Sequence, residues 1–569
     1  MDGQTAQADG QKQQEIRLNG RSIAPGLGMG RAWVVGDVLY YDGTQPTIAP
    51  EDVGQEWDRL RLAFEETFAE LELSANRIES EFDSALAGIF RAHGTMLRGL
   101  VDSGEFEKEL RNSSLAAETA VRRVLNRWYK KFKALENQTL RQRADDVLDL
   151  GRNIIRRLRG DVSGGLQSIP DQSVLVVDRL LPSDVVRLHK TRVSAIVVET
   201  LGQGSHAALL AREKGIPTVT GIAGIYAQIS GGTELLIDGH RGSVVISPEP
   251  ATRDEFVERL KSWRATLVRC KDECRKPAKT LDGQLIRVEA NIGIQEDVDL
   301  ALDNGADGVG LLRVEQLYFA RPDPPTEDEL FASLRALVTP LGNRPVTIRL
   351  LDIGGDKPLP FLPMIAGSNP SLGRRGVRVL LEYSHLVRTQ MAAILRLGQE
   401  HPVQVLIPMI TLEQDIERMR EIFDALVTEK KITRPPKFGA MIETPAAALA
   451  VPSVLKHADF LCVGTNDLTQ YTLAAGRDDA SVNVYFQDSH ESVLRLLGIV
   501  LADANGHPVT LCGELAGREA IVPRLLQMGF RTLSVAPTVV PSTKEAVRKV
   551  DIAAVQKTQP DLVLQTRST

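Results

Sequence analysis

The sequence predicts a multidomain α/β chain: an α/β domain carrying an inserted α-helical bundle, followed by a C-terminal (β/α)8 TIM barrel. Three observations lead there. Between about residues 280 and 550, eight short apolar runs recur: IRVEANIG, DGVGLLRVE, VTIRLLDIG, VQVLIPMI, FGAMIE, DFLCVGTND, VTLCGE and TLSVAP. Helical stretches separate most of them, and eight such units over roughly 250–270 residues have the size of a TIM barrel. From 50 to 160 the texture is different. Glycine and proline are scarce, and apolar residues recur every three or four positions, as at Phe82, Leu86, Phe90, His93, Leu97 and Leu100. Strand-rich segments flank this stretch, 16–37 before it and SVLVVD, AIVVET, PTVTG, TELLID and SVVIS after it, so both sides can belong to one domain.

These textures place the boundaries. A polar tail expected to be disordered covers 1–15, and the discontinuous α/β domain takes 16–49 and 161–250. The helical insert is 50–160, a charged helical linker 251–279, the barrel 280–550 and a C-terminal tail 551–569. Polar breaks near Asp102–Gly104 and Leu135–Gln138 divide the insert's helices.

Bulk composition excludes several classes. With 43% hydrophobic and 25% charged residues the chain is globular, and a formal charge of 68 − 74 = −6 argues against a nucleic-acid or membrane-surface role. No apolar run reaches the ~20 residues that span a bilayer. Cys270, Cys274, Cys462 and Cys512 are too few for a disulfide framework, and the cytoplasm is the natural compartment. Cys270 and Cys274 share a helix face but lack further ligands for a metal. Cys462 lies mid-strand and is read as core.

Most of the barrel runs end in polar residues: Arg313 and Glu315, Arg349 and Asp352, Glu443, Asn466 and Asp467, Cys512 and Glu514. Active sites of such barrels sit at the C-terminal strand ends, so these side chains should converge on one mouth. Glu443 and Asp467, on neighbouring runs, suit Mg²⁺, which takes one or two carboxylates together with water and phosphate oxygens. The plainer alternative is that each pairs with a barrel arginine. Arg313, Arg349, Arg375 and Arg477 could bind a small ligand bearing carboxylate and phosphate. Arg349 stands out because it lies inside an apolar run. Gly354–Lys357 (GGDK) follows directly and could approach a phosphate. Cys512, at the rim, is either a small buried hydrophobe or a proton donor to a bound reactant.

His206 lies in GQGSHAALLAR, where Ser205 caps a helix and His206 is its first residue. A phosphate carried on that ring would face free backbone N–H groups and the positive end of the dipole. Neutral imidazole is also a competent nucleophile.

With His206 in view, the chain from about 17 to 550 resembles enzyme I of the bacterial phosphoenolpyruvate:sugar phosphotransferase system. The resemblance rests on RADDVLDLG (143–151), LPSD (181–184), GSH (204–206), GVGLLRVE (308–315) and RLLDIGGDKPLP (349–360). It continues in NPSLGRRGVR (369–378), MIETPAA (441–447), GTNDLTQYTL (464–473) and CGELAG (512–517). It implies that the α/β domain is a swivelling phosphohistidine domain and that the insert docks an HPr-like phosphocarrier protein. His206 matches the phosphorylated histidine. Arg313, Arg349, Arg375 and Arg477 match active-site arginines, with Asn466 and Asp467 as substrate contacts. Glu443 and Asp467 match the Mg²⁺ ligands, and Cys512 the acid that turns the enolate into pyruvate. A homodimer formed through the barrel is implied as well.

The chain departs from the family pattern at Leu181, Gln203, Gly204 and Val314. The changes at Leu181 and Gly204 remove hydroxyls that could hydrogen-bond the histidine, and with Gln203 they motivate an alternative reading, a catalytically weakened regulatory homologue. Dikinases and synthases that use phosphoenolpyruvate need an ATP-grasp domain, for which the chain has no room.

Overall fold

An apolar run with no polar face is stable as a strand only where both faces of its sheet are covered. The computed structural model describes residues 15–35, 48–81, 84–134, 138–159, 169–180, 193–201, 208, 211, 215–318, 321–354, 359, 361–362, 369–476, 482 and 484–554. Both expected tails (save residue 15 and residues 551–554), most of the GGDK loop, Leu181, Gln203, Gly204, His206 and Arg477 lie outside the described residues. The chain forms two compact units, one of Met1–Glu72 with His93–Ala265 and the other of Leu73–Ala92 with Thr266–Thr569.

The first unit is built on an eight-stranded sheet. Its strands are β1 (Ile16–Asn19), β2 (Arg21–Ala24), β3 (Leu27–Val35), β4 (Val174–Arg179), β5 (Ala195–Thr200), β6 (Thr218–Thr220), β7 (Glu234–Asp238) and β8 (Ser243–Ile246). The spatial order is β1-β8-β7-β3-β4-β5-β6-β2, with β3 to β6 mutually parallel. Strands from before and after the helical segment therefore share one sheet. In β4 and β5, Leu175, Val177, Ile196 and Val198 feed one core, while Val174, Val176, Ala195 and Val197 feed the other. That period-two split is why both runs are apolar throughout.

The helical segment holds α1 (Val53–Glu81), α2 (Ser84–Asp102), α3 (Glu105–Ser113), α4 (Ala117–Lys133) and α5 (Gln138–Leu158). The breaks after Asp102 and before Gln138 fall where the polar residues predict them. The break between α3 and α4 was not legible. It turns on Ser114, which takes φ 45° with no glycine or proline beside it. Arg152 pairs with Asp178 at 3.4 Å and Arg179 donates to the Tyr129 hydroxyl at 3.2 Å, so β4 is tied to both α4 and α5. After β8 the chain enters α6 (Pro250–Glu273), the expected charged helix.

The second unit closes a ring. All eight apolar runs form strands: β10 (Leu285–Ile292), β11 (Val309–Arg313), β12 (Val346–Arg349), β13 (Val403–Ile407), β14 (Phe438–Ile442), β15 (Phe460–Gly464), β16 (Val509–Cys512) and β17 (Thr532–Val535). Each pairs in parallel with the next, and β17 returns to β10. The short strand β9 (Ala278–Lys279) adds antiparallel to β10. Helices between the strands include α7 (Gln295–Asp303), α8 (Glu327–Val338), α9 (Ser384–Leu397), α10 (Glu413–Glu429), α11 (Thr465–Leu473), α12 (Glu491–Asp503) and α13 (Val540–Arg548). The barrel interior is filled by Leu311, Leu406, Met441, Phe460, Cys462 and Cys512.

Gly439 on β14 shows how tight that interior is, since a Cβ there would run into the Phe460 ring. Gly439→Ala should cost about 1–3 kcal/mol by overpacking. Differential scanning calorimetry is the check: an unchanged barrel transition would mean that the ring has room to move.

Candidate active site

Because every strand of the ring is parallel, all C-terminal ends open on one face. β11 ends in the exposed Arg313, and the register sets Arg349 of β12 directly beside it. Arg349 itself is only 9% exposed. Its Nη2 donates to Glu315 Oε1 at 2.7 Å and its Nη1 lies 3.3 Å from Asp352 Oδ2. Glu315 also accepts the backbone N–H of Asp352 at 3.0 Å, so one carboxylate fixes both the arginine and the loop beyond its strand. Burial opposes the charge on Arg349, yet Glu315, Asp352 and Glu443 together hold its pKa above the ordinary value.

Arg375 comes from the segment after that loop. Gly354 forms a β-bridge with Arg375, and the Gly376 N–H donates to the Ile353 carbonyl at 2.9 Å. The guanidinium thereby reaches across the mouth. It donates to Asp352 Oδ2 at 3.0 Å, to Asp467 Oδ1 at 2.8 Å and to the Tyr471 hydroxyl at 3.0 Å. Tyr471 in turn donates to the Ser371 carbonyl at 2.6 Å.

Glu443 follows β14 and is 1% exposed. Its Oε1 accepts the backbone N–H of Met409 at 2.6 Å. Burial pushes its pKa up to about 8, and the neighbouring Asp467 and Asp352 add to the rise despite Arg349 and Arg375. Gly464 makes room for this carboxylate, because a Cβ there would lie 2.8 Å from Glu443 Oε2. Asn466 and Asp467 open α11, where Asn466 Oδ1 accepts the Glu514 N–H at 3.2 Å.

Cys512 ends β16, fully buried, and its sulfur is joined to that of Cys462 on β15, with Cα atoms 6.5 Å apart. Cys462 is core, as its mid-strand position predicts, and its pairing with Cys512 comes in addition. Adjacent strands point both side chains into one interior layer, which sequence spacing does not reveal. In the joined state Cys512 has no proton to give.

The structure thus gathers Arg313, Arg349, Arg375, Glu443, Asn466, Asp467 and Cys512 at the C-terminal ends of the barrel strands. His206 and Arg477 lie outside the described residues. Two contributors were missed, and a third was seen without its role. Tyr471 carried a usable signal, standing four residues after Asp467 on one helix face. The Met409 N–H, in a residue with φ 56°, carried none, because a backbone donor leaves no trace in the sequence. Glu315 was visible as a polar run end, but its clamping of Arg349 was not.

Residues 268–552 match the PEP-binding domain of PEP-utilising enzymes, 19–143 their N-terminal domain and 169–242 their mobile domain. The phosphoenolpyruvate-protein phosphotransferase of Listeria monocytogenes is 32% identical over 547 residues, which is 94% of each chain. That of Streptococcus equinus is 32% identical over 554 residues, 95% of each. The chain belongs to the phosphoenolpyruvate-protein phosphotransferase family. That of Priestia megaterium is 31% identical over 91% of both chains, so the likeness extends over all three matched domains. An NMR structure of Enzyme I (nEIt) matches 43% of this chain and 99% of its own at 25% identity, with a TM-score of 0.33. That likeness is too loose to argue from.

The resemblance implies a cation at the barrel mouth. Among the described residues, no three His, Cys, Asp or Glu side chains form a metal-holding group. The donors at hand are the carboxylates Glu443 and Asp467. Two hard oxygen donors, completed by water and phosphate oxygens, are a common Mg²⁺ environment, so the donor set fits.

Glu443 sets a pH dependence in the metal-free protein. Below its unfolded value of 4.5 it is protonated in both states. Between there and about 8 the folded state keeps a proton that the unfolded chain has released, so its contribution to stability is lost as pH rises through the folded pKa. In EDTA, the thermal midpoint of wild type should fall relative to Glu443→Gln between about pH 5 and pH 9. Parallel profiles for the two proteins would show that Glu443 is not held protonated.

Proposed function

We propose that phosphoenolpyruvate binds at the barrel mouth and phosphorylates His206, and that the phosphoryl group then passes to a histidine of an HPr-like phosphocarrier protein. The observation that carries this reading is the buried, doubly paired Arg349 beside Arg313, Arg375 and the Glu443–Asp467 carboxylates. Guanidinium groups in such a setting match the carboxylate and phosphate of the ligand bidentately. Arg313, Arg349, Arg375 and Arg477 orient the substrate, and Asn466 and Asp467 contact it. Glu443 and Asp467 would hold Mg²⁺, which when bound supplies positive charge against phosphate oxygens and the developing enolate.

In the reaction the bridging P–O bond of phosphoenolpyruvate breaks as a His206 ring nitrogen bonds to phosphorus. The enolate left behind takes a proton at its methylene carbon from the thiol of reduced Cys512, giving pyruvate. His206 falls in the segment that matches the mobile domain, in keeping with a histidine that serves barrel and carrier in turn. The cytoplasm and a homodimer through the barrel belong to the same proposal. No helix among the described residues is long and apolar enough to cross a membrane.

Incubation with Mg²⁺ and ³²P-phosphoenolpyruvate should yield an acid-labile, base-stable phosphoprotein that is absent in His206→Ala. Label persisting in that variant would overturn the assignment of the histidine. Under dithiothreitol, Cys512→Ala should bind phosphoenolpyruvate normally but release pyruvate roughly 10²–10⁴-fold more slowly. Near-normal pyruvate formation by this variant would remove Cys512 from the reaction.

A further inference from the structure

Two sulfurs in one interior layer of the barrel have a use beyond packing. Cys462 and Cys512 stand on adjacent parallel strands, where Cys512 is opposite Gly464 and Cys462 is opposite Thr510. Both are fully buried in the cluster with Leu311, Leu406, Met441 and Phe460. Their Cα atoms, 6.5 Å apart, lie within the span that a disulfide bridges without backbone movement. The other two cysteines, Cys270 on α6 and Cys274 just past its end, are buried and free. Cys512 sits at the strand end that opens on the mouth, one residue before the Gly513–Glu514 turn that Asn466 holds.

We propose that Cys462 is the resolving partner of Cys512, so that a peroxide oxidant converts the pair to a disulfide and reversibly stops turnover at the proton-transfer step. The inference rests on Cys512 being the proton donor. The chemistry balances with one hydrogen peroxide. The Cys512 sulfur attacks one peroxide oxygen, the O–O bond breaks, and the departing hydroxide takes the thiol proton to become water, leaving a sulfenic acid. The Cys462 sulfur then attacks the Cys512 sulfur. The S–S bond forms, the S–O bond breaks, and a second water leaves with the Cys462 proton. Two thiols have lost two electrons to the peroxide, and a dithiol such as dithiothreitol returns them by exchange. Because the link lies within the barrel interior, ligand-binding side chains at the strand ends keep their supports while the acid is withdrawn.

The test uses the full chain, oxidised with hydrogen peroxide, treated with catalase and assayed beside its dithiothreitol-reduced form. Oxidised protein should be lighter by two hydrogens and should give a peptide linking Cys462 to Cys512. It should retain phosphoenolpyruvate binding, lose pyruvate release by roughly tenfold or more, and recover with dithiothreitol. Cys462→Ser should match reduced wild type in turnover and form no linked peptide; Cys462→Ala replaces it if a buried hydroxyl impairs folding. Absence of the linked peptide from oxidised wild type overturns the proposal, and so does linked protein that turns over at the reduced rate. The reduced Cys512→Ala variant separates the two layers. If it is slow while linked protein is fast, only the switch fails; if it is fast, the donor role beneath the switch fails.

Discussion

A guanidinium group taken out of water must be paired, and the architecture of the barrel mouth follows from that obligation at Arg349. The strand β12 needs apolar neighbours on both faces, yet it ends in a charged side chain that is only 9% exposed. Glu315 and Asp352 meet the need from the loops after β11 and β12. Once Glu315 is committed to Arg349, its second contact, the Asp352 N–H, fixes where the next loop starts. Asp352 then positions Arg375, and Arg375 positions Asp467 and Tyr471. A chain of paired charges carries the order of one strand end around the rim.

The same network sets the electrostatics of the mouth. Glu315, Asp352, Glu443 and Asp467 outnumber Arg349 and Arg375, four carboxylates against two guanidinium groups, within one largely buried cluster. Glu443, the most deeply buried member, takes the strain by holding its proton up to about 8. A mouth built this way welcomes additional positive charge, which is what a phosphate-transferring site asks of its environment. Close approach matters equally, because Gly464 leaves the space into which Glu443 turns.

The cysteine pair is held by different physics. Parallel strands run in register, so residues two apart on neighbouring strands face the same interior layer. That geometry costs nothing in charge or hydrogen bonding, and it places a second sulfur beside that of Cys512. The packing environment of Cys462 is apolar, as a core reading demands, and its neighbour is what gives it a chemical partner.

By itself the sequence determined the barrel and the helical segment between the strands of the first sheet, because these depend on local periodicity. Eight short apolar runs separated by helical stretches predict buried strands, and polar residues that end such runs are expected at the strand mouth. The motifs around Arg349, Glu443, Asp467 and Cys512 were legible for the same reason, since each is contiguous. Tertiary structure alone decided who meets whom. The Glu315–Arg349 clamp joins residues 34 apart, Arg375 reaches Asp467 across 92, and Cys462 finds Cys512 across 50. It also decided the Ser114 break and the Met409 N–H that faces Glu443, which are matters of backbone conformation. Local composition encodes which residues are apolar or charged. The pairing of charges, sulfurs and backbone donors is set by strand register and ring closure, which no local stretch of sequence contains.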